Sequence, residues 1–140
     1  MQSPILVIED SDSDYETLAQ SLKSAGVGNA LRRCATGFEV KNFLSAIQTG
    51  VKDCPALILL DLHIPGGDGC EILQNIKKHP ILKPIPVIVL TTSALPADIE
   101  TCYRLGASGY LVKQVNLELF ESMILTLTNY WLHCVQLPRV

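Results

Sequence analysis

Five residues stand at the ends of apolar runs, where polar chemistry is least expected. Glu9 and Asp10 follow Ile5-Leu6-Val7-Ile8, and Asp61 follows Leu57-Ile58-Leu59-Leu60. Thr91 follows Val87-Ile88-Val89-Leu90, and Lys113 follows Tyr110-Leu111-Val112. Three carboxylates brought close together repel unless a divalent cation or protons sit among them. Oxygen ligands alone favour Mg²⁺, which takes one or two carboxylates plus a phosphate oxygen and keeps several waters. No histidine–cysteine set has zinc spacing. A carboxylate beside such a cation can act as a nucleophile toward phosphorus. The cation, the Lys113 ammonium and the Thr91 hydroxyl would then stabilise the equatorial oxygens of the group in transit. The expected chemistry is Mg²⁺-dependent phosphoryl transfer to an aspartate.

For these residues to meet, the elements that carry them must end at one edge. Strand and helix signals alternate along the whole chain. Strands are expected at Pro4–Ile8, Ala30–Ala35 (interrupted by two arginines), Ala56–Leu60, Pro86–Leu90 and Gly109–Val112. Helices are expected at Asp14–Ala25, Phe38–Thr49, Gly69–Lys78, Pro96–Leu105 and Asn116–Val135, with a loop over Ile64–Gly69. Apolar strands separated by helices imply a parallel sheet covered on both faces. The expected fold is α/β, a doubly wound, flavodoxin-like five-stranded sheet of order 2-1-3-4-5. Ligands of such sheets bind beyond the carboxyl ends of the strands, where all five residues lie. The first and third strands are neighbours in this order, so Asp10 and Asp61 should be only several Å apart.

Composition narrows the class. The chain has 140 residues, 48% hydrophobic and 18% charged, with net charge −3 and pI near 5.5. One domain over residues 1–140 is expected, with its core at about 4–128 and a C-terminal helix and tail at about 116–140. The only basic pairs, Arg32–Arg33 and Lys77–Lys78, are too sparse to expect a nucleic-acid partner. No run is long and apolar enough for a membrane span, and no signal-peptide pattern opens the chain, so a cytoplasmic setting is expected. The five cysteines are scattered and odd in number, and read as reduced packing residues. Phe38, Phe43 and Trp131 read as core. His63, His79 and His133 read as solvent-facing or satisfied imidazoles.

The segments Ile8-Glu9-Asp10, Leu59-Leu60-Asp61, Ile64-Pro65-x-x-Asp68-Gly69, Val89-Leu90-Thr91 and Gly106-Ala107-Ser108-Gly109-Tyr110-Leu111-Val112-Lys113 together resemble the receiver domain of two-component response regulators. The resemblance covers roughly residues 4–128. It implies that Asp61 is the phosphoacceptor and that Asp10 and Asp61 bind Mg²⁺ directly, with the His63 backbone carbonyl as a third ligand and Glu9 acting through water. It implies that Thr91 bonds the phosphoryl oxygen, that Lys113 pairs with it, and that Tyr110 is an aromatic switch turning inward upon phosphorylation. The partner implied is a histidine kinase. The tail Tyr130–Pro138 and the segments Ile47–Pro55 and Lys77–Pro86 are similar to stand-alone regulators paired with cyanobacterial-type phytochrome kinases. The chain is expected to catalyse only its own phosphorylation and dephosphorylation.

Two departures from the family pattern bear on the site. Gln114 follows Lys113 where receivers usually have proline, so the peptide between them is either trans or held cis by its surroundings. Gly66-Gly67 precede Asp68, which suggests a mobile loop. Two other readings stay open: a pseudo-receiver that binds partners without phosphorylation, and a haloacid-dehalogenase-type phosphatase using Asp10-Ser11-Asp12. In the last helix, Phe120, Met123, Ile124, Leu127, Trp131 and Cys134 form one stripe at helical spacing. Leu125 and Leu132 fall outside it and are expected to face away as a homodimer seam.

Overall fold

The computed structural model describes residues 2–138. Strands β1 (Ile5–Ile8), β2 (Leu31–Cys34), β3 (Leu57–Leu60), β4 (Val87–Thr91) and β5 (Gly109–Val112) alternate with helices α1 (Asp12–Ser24), α2 (Gly37–Gln48), α3 (Gly69–Lys78), α4 (Pro96–Arg104) and α5 (Leu117–Thr128). All strand pairs are parallel and the order is β2-β1-β3-β4-β5, as expected from the alternation of elements. It is a doubly wound, flavodoxin-like fold.

Side chains alternate across the strands with period two and make two cores. One face of the sheet packs Leu6, Ile8, Ile58, Leu60, Val87 and Val89 against Val40, Phe43, Ile47, Ile72, Leu73 and Ile76 of α2 and α3, with Cys102 from α4. The other packs Ile5, Val7, Leu57, Leu59, Ile88 and Leu90 against Leu18 and Leu22 of α1 and Phe120, Ile124 and Leu127 of α5. Side chains of β1, β3 and β4 are therefore buried throughout, while edge strands β2 and β5 stay partly open. Each fully buried leucine or isoleucine contributes about 1.5–3 kcal/mol. These cores make the sheet a rigid base for whatever lies at its edge.

The helix starts have local causes. Ser11 caps α1 by accepting from the Asp14 amide, Thr36 caps α2, Asp68 caps α3 and Asn116 caps α5. Asp12 and Asp14 lie in the first turn of α1, where the helix dipole favours negative charge.

Two expectations need correction. Phe38 is 70% exposed. It lies about 200° around the helix from Val40, so the core stripe of α2 is Val40, Phe43 and Ile47 without it. The Gly66-Gly67 segment runs against the start of α2, where the Gly37 amide donates to the Pro65 carbonyl at 3.0 Å. A Cβ on Gly37 would fall 2.5 Å from the Gly66 oxygen, so these glycines allow close approach of two backbones.

The second concerns the last helix. After Thr128 it continues as a π-helical segment, Asn129–Cys134, closed by the Val135 amide donating to the Tyr130 carbonyl. The wider turn advances less around the axis per residue. Leu132 is thereby rotated inward and packs against the α1/α5 core. Leu125, 46% exposed, still faces outward, so the two leucines form no common seam. Trp131 is half-buried against the same core, while Cys134 of the expected stripe is exposed.

Candidate functional site

The strand ladders carry the site beyond the strands themselves. The Glu9 amide donates to Cys34, the Asp61 amide to Ile8 and the Lys113 amide to Thr91, at 3.0, 2.9 and 2.7 Å. The register that pairs Ile8 with Leu60 therefore sets Glu9-Asp10 beside Asp61. The register that pairs Thr91 with Val112 sets Lys113 above Thr91.

Carboxylate oxygens of Glu9, Asp10 and Asp61 all lie within 4.8 Å of one another. Glu9 and Asp61 are buried and Asp10 is exposed. Lys113 Nζ donates to Glu9 Oε1 at 2.5 Å, to Asp61 Oδ2 at 2.9 Å and to Asp14 Oδ2 at 2.9 Å. The Lys113–Gln114 peptide is trans, and this reach is made from it. The His63 amide donates to Asp61 Oδ1 at 3.1 Å. Thr91 is fully buried, and its Oγ1 has no hydrogen-bond partner among the described residues. A hydroxyl left so costs about 1–3 kcal/mol, and a phosphoryl oxygen at Asp61 would be a natural acceptor for it.

The electrostatics follow from burial and charge. Burial pushes Glu9 up to about 7, with the Asp61 charge adding to the rise and Lys113 opposing it. Burial pushes Asp61 the same way, but Lys113 and the His63 amide outweigh it and hold the carboxyl below its usual range. Burial would lower Lys113, yet its bonds to Asp61, Glu9 and Asp14 raise it. At neutral pH, Asp61 is thus an ionised carboxylate beside the Lys113 ammonium. The donor set is carboxylate oxygen only, which fits a hard divalent cation.

Tyr110 is half-buried against the α2/α3 core, and its hydroxyl donates to the Ser93 carbonyl at 2.8 Å. The resemblance implied a ring that turns inward upon phosphorylation; here it is already packed. His63 lines a shallow cleft with Asp10, Pro65 and Asp68. Asp12, the second acid of the Asp-x-Asp pattern, does not join the cluster. It pairs with Arg33 at 2.8 Å and is 85% exposed.

Two residues at the site escaped sequence reasoning. Asp14 contributes a third carboxylate to Lys113 from the first turn of α1, across 99 positions of chain. Arg33, read only as a polar interruption of a strand, donates to the carbonyls of Glu9 and Asp10 at 3.1 and 3.3 Å. The strand order was the available signal for Arg33, because it sets the end of β2 next to the acidic loop.

Comparison with known proteins agrees with the geometry. The response regulator receiver domain family matches residues 5–125. Response regulator Rcp1 of Synechocystis is 39% identical, over 96% of this chain and 92% of its own. The phosphorylated cyanobacterial phytochrome response regulator RcpA superposes with a TM-score of 0.91 at 32% identity, covering 99% of this chain and 100% of that one. The Mn²⁺-bound form of Rcp1 gives 0.89 at 37%, covering 98% and 99%. With the sheet order, the acidic cluster and the lysine all in place, the chain belongs to the response regulator receiver domain family.

Proposed function

We propose that Asp61 accepts a phosphoryl group from a histidine kinase of the phytochrome type, with Mg²⁺ as the cation. The observation that carries this reading is the Asp61 carboxylate, buried, held ionised by Lys113 and placed within reach of two further acids. Support for the kinase class comes from the near full-length likeness to Rcp1 and RcpA, the latter described as a phosphorylated phytochrome regulator. In this reading one Asp61 oxygen attacks phosphorus, the bond to the donor's imidazole nitrogen breaks, and that nitrogen keeps the bonding pair. Asp10, Asp61 and the His63 carbonyl would hold Mg²⁺, and Glu9 would reach it through water. The ion would neutralise charge on the phosphoryl oxygens. Lys113 then exchanges part of its carboxylate contacts for a phosphoryl oxygen, and the Thr91 hydroxyl gains the acceptor it lacks.

The same reading makes the chain a cytoplasmic signalling partner that acts on no substrate besides its own aspartyl phosphate. Among the described residues, no helix is long and apolar enough to cross a membrane. Phosphotransfer from a panel of purified, autophosphorylated kinases tests the pairing. Transfer is expected to be fastest from a phytochrome-type kinase. Equal or faster transfer from kinases of unrelated sensor class would contradict it.

A further inference from the structure

Three carboxylates in one cluster push their own backbone apart, and the segment Glu9-Asp10-Ser11 that carries two of them has left the sheet. Beyond the Ile8 carbonyl, which the Asp61 amide takes, the next two carbonyls have no strand to pair with. Arg33 takes both. Its Nε donates to the Glu9 carbonyl at 3.1 Å and its Nη2 to the Asp10 carbonyl at 3.3 Å. Its Nη1 meets the Asp12 carboxylate at 2.8 Å. The Tyr15 ring lies 4.8 Å from the guanidinium carbon. Asp12 and Tyr15 are three residues apart, hence on one face of α1. Each nitrogen of the guanidinium therefore faces a partner, and the side chain is only 24% exposed. A planar fork holds its donors on fixed edges and so fixes two successive carbonyls relative to each other; the rotating donors of an ammonium fix them less.

We infer that Arg33 is a positioning residue for the cation site: it clamps the backbone of Glu9 and Asp10 so that their carboxylates stay convergent with Asp61. It does so from behind, through carbonyl oxygens, and leaves the carboxylate oxygens free for the ion. This rests on the reading of Glu9, Asp10 and Asp61 as a divalent-cation site. A supporting residue of this kind sets cation affinity by about ten- to a hundredfold.

The experiment is Mg²⁺ and Mn²⁺ titration by calorimetry, with no phosphoryl donor present. The full chain is compared with Arg33→Met, Arg33→Lys and, as a charge-matched control, Arg32→Met. Arg32 is exposed and, among the described residues, bonds only the neighbouring Leu31 carbonyl. Amide hydrogen exchange of residues 9–12 in chelator and thermal midpoints are recorded alongside. Arg33→Met is expected to weaken cation binding about tenfold and to speed exchange at residues 10–12. Arg33→Lys, which keeps the charge without the fork, is expected to stay close to Arg33→Met. Arg32→Met is expected to match the wild type. Equal cation affinity in Arg33→Met and wild type overturns the inference alone. Equal loss in Arg32→Met also overturns it, because net charge would then be the cause. If Arg33→Met is poorly folded, Arg33→Lys decides, and wild-type affinity in it overturns the clamp. A wild type that binds neither ion overturns the cation-site reading itself.

Discussion

Lys113 and Arg33 reach the same acidic cluster from opposite sides of the sheet order, one just past β5 and the other on edge strand β2, and they touch different atoms. Lys113 enters the cluster and bonds carboxylate oxygens of Glu9, Asp61 and Asp14 directly. Arg33 stays behind the loop and bonds the carbonyls of Glu9 and Asp10. Both lower the repulsion among the acids. Only Lys113 occupies oxygens that a metal ion or phosphoryl group needs. In the reading proposed above, Arg33 fixes the ligands at all times and Lys113 gives way when the phosphoryl group arrives.

Lys113→Met separates the two roles most sharply. Phosphorylation by acetyl phosphate is expected to slow about 10²–10³-fold, since the group that stabilises charge on the transferring oxygens is gone. Divalent-cation affinity is expected to rise about three- to tenfold, because a competing positive charge has left. Arg33→Met is expected to move affinity the other way. Calorimetry on both variants checks the signs. Weaker cation binding in Lys113→Met would erase the contrast.

The next effect is on pH dependence. Glu9 titrates near 7 in the folded chain against about 4.5 ordinarily. Between those values the folded chain keeps a proton that the unfolded chain has released. This contribution to stability is therefore full below about pH 4.5 and is lost as pH rises through 7, by on the order of 2–3 kcal/mol. The shift at Asp61 runs downward and acts below its ordinary value of 3.8, outside this window. Urea denaturation in chelator is expected to show the fall between pH 5 and 8. Mg²⁺, which favours the ionised acid, is expected to narrow it. Glu9→Gln is expected to flatten the profile, and an unchanged slope in that variant would place the effect elsewhere.

The Lys113 side of the site was legible in the sequence and the Arg33 side was not. Asp61, Thr91 and Lys113 each end a run of apolar residues, so strand assignment alone placed them at one edge. Glu9 and Asp10 follow the same rule. Arg33 sits inside a weak edge strand whose burial alternates, and its contacts depend on where the β1–α1 loop turns after Ile8. Asp14 was legible as a first-turn acid, which is equally what a helix dipole favours. Its contact with Lys113 is made only after the first and last elements meet. Leu132 was misplaced because a constant rotation per residue was assumed through Thr128, where the helix widens. Phe38 was misplaced because hydrophobicity was read without the phase of its own helix. What was missing was geometry rather than residue type: the path of a loop, the meeting of distant elements, the widening of one helix and the phase of another.

One covalent bond, between Asp61 and phosphorus, decides the proposed function. Wild type and Asp61→Asn are each incubated with acetyl phosphate, with Mg²⁺ and with excess chelator, and intact mass is read directly. The wild type is expected to gain one phosphoryl group in Mg²⁺ and none in chelator, with the gain mapping to the peptide that contains Asp61. Asp61→Asn is expected to gain none in either. Equal labelling of Asp61→Asn, or full labelling of the wild type without a divalent cation, would contradict the assignment of Asp61 as the phosphoacceptor of this site.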